Sequence, residues 1–157
     1  MYERKIAKMF DEVFGFKFAR TPNSGGLYLK GDIMPEDRTI DFPFVVECKN
    51  HKLLAINSWE RQLLGDMERT GKLGVLIFHR YNTSEDYGYL PAFSYNLSDE
   101  KLDYHKATFY DKLTTGKIYR FKEGYIATVK KILLAMKYFY EKRDDYGYFT
   151  TKATKKD

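Results

Sequence analysis

The chain has 157 residues, a size that fits one domain with a core of its own, and its 43% hydrophobic content excludes a wholly disordered polymer. A formal charge of +5 and a pI near 9.1 make a polyanion the natural partner. A single cysteine excludes an internal disulfide framework and a cysteine-based zinc site. No segment reads as a membrane span or a signal-peptide core, so a soluble, intracellular (cytoplasmic) protein without membrane contact is expected.

Taken in order, Tyr2 to Phe14 predicts a helix, because Ile6, Met9, Phe10, Val13 and Phe14 recur at the spacing of one apolar stripe. Glu3 falls one turn before Ile6, close to that stripe, and so can look toward a sheet. Asp11 and Glu12 lie far round the helix and should meet water. An acid in the first turn also interacts favourably with the helix dipole, and both readings of Glu3 can hold together. Gly15 ends the helix. Phe16 to Arg20 alternates apolar with other residues and predicts a first strand. Thr21 to Gly26 is a loop by composition. It is either an ordinary turn or a place where backbone amides approach a phosphate, with Arg20, Ser24 and Lys30 near at hand.

Lys30 to Asn50 carries the densest chemistry. The run Phe44-Val45-Val46-Glu47-Cys48-Lys49 reads as a buried strand, yet it includes two charges. Alternation points Glu47 and Lys49 one way and Val46 and Cys48 the other. Upstream, Asp32 follows a glycine and precedes a turn-rich segment with Pro35, Asp37 and Pro43. Antiparallel pairing of Asp32-Ile33-Met34 with Phe44 to Lys49 brings Asp32 close to Glu47.

Two carboxylates and a lysine at one strand end suit phosphodiester hydrolysis on a divalent cation. Mg²⁺ prefers oxygen ligands and keeps several waters. It polarises a phosphoryl oxygen and acidifies a bound water, and the lysine meets the negative charge of the transition state or orients that water. Taken alone, the E-x-K triplet reads equally as a surface ion pair. Cys48, facing the other way, reads as a buried and inert thiol.

Beyond the strand, Lys52 suits a phosphate contact better than His51 does, and His51, His79 and His105 have no metal-cage spacing. A second helix is predicted from Ser58, as N-cap, to Thr70, with Gly71 as its stop and Trp59, Leu63 and Met67 as its buried stripe. Gln62 and Asp66 share one face of it, either reaching the substrate backbone, bracing the acids, or lying exposed. Lys72 to His79 is an apolar strand of the kind buried on both faces. Tyr87 to Phe93 predicts a returning edge strand, where Pro91 is tolerated. Ser98 resembles a helix start, Lys106 to Phe109 is of either type, and Ile118 to Phe121 is a short strand. Tyr125 to Glu141 predicts a helix with Ile126, Val129, Leu133, Met136 and Tyr140 inward and Lys130, Lys131 and Lys137 wet. Residues 1–143 form one expected domain (core 1–93, addition 94–143), and 144–157 a loose tail.

Helix, strand, Gly31-Asp32, turn, apolar strand with Glu47-Cys48-Lys49, helix, apolar strand: this order resembles the PD-(D/E)XK nucleases. Within them it looks most like the Holliday junction resolvases of the archaeal Hjc type and their phage-encoded relatives. Glu3-Arg4-Lys5-Ile6, Gly15-Phe16, Arg20 to Gly26 and Gly31-Asp32-Ile33 carry the likeness with the strand motif, over residues 1–80. The resemblance implies an α/β, restriction-endonuclease-like mixed β-sheet flanked by helices, with one helix at each end of the chain. It further implies Asp32 and Glu47 as metal ligands, with Glu3 completing the acidic cluster and the Cys48 backbone carbonyl counted as a ligand. Lys49 would assist the nucleophile, and Ser24 would sit in a loop that approaches the scissile strand. Arg20, Ser24, Lys30, Lys52 and Gln62 are the expected nucleic-acid contacts. No proline precedes Asp32, and Cys48 occupies the variable position of the motif.

The expected activity is that of a Mg²⁺-dependent endodeoxyribonuclease, with Mn²⁺ able to substitute, cutting branched double-stranded DNA as a homodimer, as a phage-encoded enzyme in its host would. A sequence-specific nuclease of the same fold and a non-catalytic DNA-binding protein are the alternatives.

Overall fold

Tyr2–Phe14 forms the first helix, α1, and its stripe is buried through Tyr2, Ile6, Ala7 and Phe10. Gly15 closes it in a left-handed conformation, φ 82°, with its N–H donated to the Asp11 carbonyl, a backbone geometry that favours glycine. The computed structural model describes residues 1–22, 30–91, 104–106, 118–122 and 124–146.

The strands are β1 (Phe18–Arg20), β2 (Ile33–Pro35), β3 (Phe44–Lys49), β4 (Leu73–His79), β5 (Asp86–Leu90), β6 (Tyr104–Lys106), β7 (Ile118–Phe121) and β8 (Gly124–Thr128). Helix α2 (Ile56–Thr70) joins β3 to β4, and α3 (Val129–Tyr146) follows β8. Among the described residues these eight strands lie in one mixed sheet, in the order β1-β2-β3-β4-β5-β8-β7-β6. β3 and β4 run parallel, as a helical crossover requires, while β1, β2 and β5 join as antiparallel neighbours. This is the α/β, restriction-endonuclease-like arrangement expected, with helices at both ends of the chain.

Helices cover both faces. On one, α1 and α3 bury Ile6, Phe10, Ile132, Leu133 and Met136 against Val46, Cys48, Val75 and Ile77. On the other, α2 sets Ile56, Trp59, Leu63 and Met67 against Val45, Leu76, Phe78 and Tyr87. β4 therefore has a core on either side, which explains its unbroken apolar run. Trp59 is plain core, seated between His51 and Phe78.

Several elements depart from the sequence reading. β1 starts at Phe18 rather than Phe16; the Phe16 ring packs with those of Phe14 and Phe18 instead. Asp11 does not simply face water, because its Oδ1 accepts the Phe18 N–H at 2.6 Å and pins α1 to β1. Ser58 is not the N-cap of α2. The helix begins at Ile56, and the Ser58 hydroxyl donates back to the Ala55 carbonyl at 3.0 Å. β5 is not an edge strand but lies between β4 and β8, and Pro91 falls after it. The predicted C-terminal helix begins four residues late, at Val129, because Tyr125 to Thr128 is a strand bonded to β5 and β7. Ile126 accordingly belongs to the α2 side of the core, and Val129, Leu133 and Met136 to the α3 side. The helix continues to Tyr146, past the point where a loose tail is expected to start. The expected helix start at Ser98 and residues 107–109 lie outside the described residues.

Candidate active site

Gly31 sets the geometry from which the site grows. Its φ is 88°, and a Cβ there would sit 2.9 Å from the Val46 carbonyl oxygen and 3.0 Å from Val45 Cγ2. Only a residue without a side chain lets the chain come that close to β3 in that conformation. The next residue, Asp32, donates its N–H to Val46 O at 2.6 Å, and its carbonyl accepts the Thr21 N–H at 2.9 Å. β2 itself begins at Ile33, whose register partner on β3 is Val46. The Asp32 side chain reaches further along β3, its Oδ2 accepting the Cys48 N–H at 2.6 Å. One carboxylate thus replaces a rung of the sheet and is anchored beside the strand that carries Glu47.

Glu47 is only 4% exposed and points to the α2 side, as Val45 does. Its carboxyl is pushed up from the ordinary 4.5 to about 9, first by burial, then by hydrogen bonding to Asp66 and by the charge and hydrogen bonding of Asp32. Asp66, itself 5% exposed, comes from the third turn of α2 and is held from the other side by Arg69 Nη1 at 3.1 Å. Three carboxyl groups therefore meet around Glu47, and a proton on Glu47 relieves their repulsion. Lys49, two residues on and on the same face, donates from Nζ to Gln62 Oε1 at 3.0 Å. Helix α2 thus supplies both a third acid and a rest for the lysine.

The other expected residues are distributed around this centre. Glu3 stands on α1, on the Cys48 side of the sheet, with its carboxylate 4.0 Å from Arg20 Nε. After burial and Asp32, it helps to push up the pKa of the Cys48 thiol, but it is not among the groups that act on Glu47. Arg20 ends β1 opposite Ile33, next to Asp32 in the chain. Lys30 is half-buried just before Gly31. Lys52 is exposed, its ammonium 5.4 Å from the centre of the Tyr81 ring. Gln62 is exposed and braces Lys49. Ser24 lies outside the described residues. Cys48 is buried as expected, and its carbonyl leaves the strand on the edge where its N–H meets Asp32.

The sequence leaves the role of Asp66 open; its burial against Glu47 comes from the seating of α2. A second polar cluster is not anticipated in the sequence. Asp86, 5% exposed at the start of β5, accepts from Tyr2 Oη at 2.8 Å and Lys5 Nζ at 2.7 Å, with His79 Nδ1 at 3.0 Å. The available signal was an acid opening an apolar strand directly after a turn. This cluster ties the first turn of α1, and with it Glu3, to the sheet end that bears the acids.

The donor set fits a hard divalent cation. Asp32 and Glu47 offer carboxylate oxygens, and the proton that Glu47 retains occupies a position of surplus negative charge that a cation would relieve. Among the described residues no three acidic, imidazole or thiol side chains form a ready cage. A cation held here would keep much of its water shell, the habit of Mg²⁺ bound through one or two carboxylates.

Compared with models of protein families, residues 1–142 match the one described as "Phage putative PDDEXK endonuclease". The match runs through α1 to α3 and so takes in β5, β7 and β8, beyond the stretch that carries the likeness in sequence. Searches of curated proteins and of solved structures returned no match.

Proposed function

This chain belongs to the phage PDDEXK endonuclease family, and we propose that it hydrolyses DNA phosphodiester bonds at the Asp32–Glu47–Lys49 centre with a divalent cation, Mg²⁺ or Mn²⁺. The observation that carries the reading is the buried Glu47 carboxyl, flanked by Asp32 and Asp66 at a strand end with Lys49 on the same face. A bound cation would supply Lewis acidity and a hydroxide-like water.

The chain's own residues do the rest. Asp32 and Glu47 would hold the cation, with the Cys48 carbonyl available as a further oxygen. Asp66 keeps Glu47 oriented. Lys49, rested on Gln62, places an ammonium where the phosphoryl group gains negative charge or where the attacking water lies. Glu3 acts from the α1 side, beside Arg20.

We propose branched duplex DNA as the preferred substrate and a two-fold dimer as the acting form, working inside the infected cell. The likeness to junction resolvases in Glu3-Arg4-Lys5-Ile6, Gly15-Phe16, Arg20 to Gly26, Gly31-Asp32-Ile33 and Val46-Glu47-Cys48-Lys49 supports the substrate. The dimer follows from the need for two nicks of matched geometry in a four-way junction. The charge of +5 suits recognition through phosphates and shape, with Arg20, Ser24, Lys30 and Lys52 as contacts.

The test is incubation of end-labelled four-way junction, linear duplex and single strand with and without Mg²⁺. Paired, Mg²⁺-dependent nicks near the branch point are expected. Cuts at one fixed sequence in linear duplex would replace branch selection with sequence selection. Binding without metal-dependent nicking would leave a DNA-binding protein.

A further inference from the structure

Along the outer edge of the sheet, α1 and β1 enclose an open groove of about 780 Å³ that the hydrolytic centre does not use. Four cations line it: Arg4 and Lys8, one turn apart on α1, and Lys17 and Arg20, which bracket β1. Its two carboxylates differ in standing. Asp11 is engaged by the Phe18 amide, and Glu36 sits exposed at one end.

We propose that this groove is a track for a nucleic-acid phosphate backbone, guiding the strand that passes the hydrolytic centre outward along α1 and β1. The inference rests on the hydrolase reading above and adds Arg4, Lys8 and Lys17 to the residues that meet substrate.

Position comes first. Arg20 pairs across the sheet with Ile33, the residue after Asp32, and its Nε lies 4.0 Å from Glu3. The Arg20 end of the groove therefore lies on the α1 side of the sheet, one residue along β2 from Asp32. Charge comes second. Among the described residues Arg4, Lys8 and Lys17 enter no ion pair, although Lys5, Arg20 and Lys137 nearby in sequence or layer each find a carboxylate. A row of uncompensated cations raises the local concentration of a polyanion and is relieved by it.

Shape is third. The helix rise sets Arg4 and Lys8 about 6 Å apart along α1, and the strand rise sets Lys17 and Arg20 about 10 Å apart. Those spans cover roughly two to three phosphate intervals at one charge per ~3.4 Å of duplex axis for each strand. The floor between the walls includes Ala7 and Ala19, small enough for a backbone to lie close, and the ring of Phe18 is buried rather than offered to a base. A groove of cations without a stacking platform holds phosphates and is indifferent to sequence.

The salt dependence of DNA binding reads this directly, because each phosphate contact contributes about 0.9 to the slope of log affinity against log salt. With the full chain in EDTA, Arg4→Gln/Lys8→Gln/Lys17→Gln should lower that slope by two to three. Lys8→Gln alone should lower it by about one, which keeps the test readable if the triple variant folds poorly. Lys130→Gln/Lys131→Gln, exposed cations on α3, should leave it unchanged. An unchanged slope in the groove variants, or an equal loss in the α3 variant, overturns the proposal. Wild-type binding that shows the groove's slope but no Mg²⁺-dependent cleavage would sink the hydrolase reading while leaving the groove as a backbone track. No binding of DNA by the wild type would sink both.

Discussion

Replacing Glu47 with glutamine separates the charge of the site from its shape. The amide so introduced can donate to both Asp32 and Asp66, so the packing at this 4%-exposed position is kept and only the titration is removed. In the native chain Glu47 keeps its proton up to about pH 9, whereas its ordinary value, taken for the unfolded chain, is 4.5. Its contribution to stability is therefore complete below the lower value and is lost progressively as pH rises toward the upper one. Between about pH 6 and 8 the native state holds one proton more than the unfolded state. Stability then falls by about 1.36 kcal/mol per pH unit, or roughly 2.7 kcal/mol over that window. Urea unfolding in EDTA at several pH values should show this extra slope in the wild type and not in Glu47→Gln.

Mg²⁺ competes with the same proton, so its stabilisation of the wild type should grow with pH, to about 2.7 kcal/mol at a hundredfold excess over Kd, and be much smaller in the variant. Equal pH slopes in the two proteins, or equal stabilisation by Mg²⁺, would refute the idea that a proton on Glu47 stands where a cation's charge belongs.

Further outcomes follow from the same geometry. Asp32→Asn should abolish Mg²⁺-dependent cleavage while DNA binding, measured by anisotropy in EDTA, stays level or tightens because a charge facing phosphate is removed; binding lost in step with activity would make Asp32 a structural residue. Lys49→Ala should stop turnover, and Gln62→Ala should slow it about tenfold by freeing Lys49, a difference that single-turnover rates at saturating DNA would resolve. Gly31→Ala should cost about 1–3 kcal/mol in urea unfolding and displace Asp32, since its φ of 88° and the Val46 carbonyl at 2.9 Å both resist a Cβ. Tyr2→Phe removes one donor from the buried Asp86 and should cost about 1.5–3 kcal/mol; a thermal midpoint like that of the wild type would show Asp86 satisfied without it.

The reading of α1, β3 and β4 from sequence succeeds because each carries its own periodicity: 3.6 in Tyr2–Phe14, a short apolar run in Phe44–Lys49, and a longer one in Leu73–His79. The antiparallel approach of Asp32 to β3 is legible too, since a turn-rich segment between two strand-like runs leaves few other routes. The errors cluster where a partner decides. Tyr125 to Thr128 joins smoothly in pattern to the helix after it, and only bonding to β5 and β7 on either side makes it a strand. Tyr87 to Phe93, with Pro91 inside it, reads as an edge strand, until β8 occupies the far side of β5. Ser58 has the right chemistry for a cap but finds a carbonyl within its own turn.

The sequence by itself determined which groups share a face: Glu47 with Lys49 by the two-residue alternation of a strand, and Gln62 with Asp66 by the turn of a helix. Those relations depend on backbone geometry within a few residues and survive any packing. Only the tertiary structure decided which faces meet. The seating of α2 against β3 buries Asp66 beside Glu47 and sets Gln62 under Lys49, while α1 is placed on the opposite side, so that Glu3 meets Arg20 rather than Glu47. Burial and the approach of one carboxyl to another are properties of contacts far apart in the chain, and they change the chemistry of a group that alternation had merely placed.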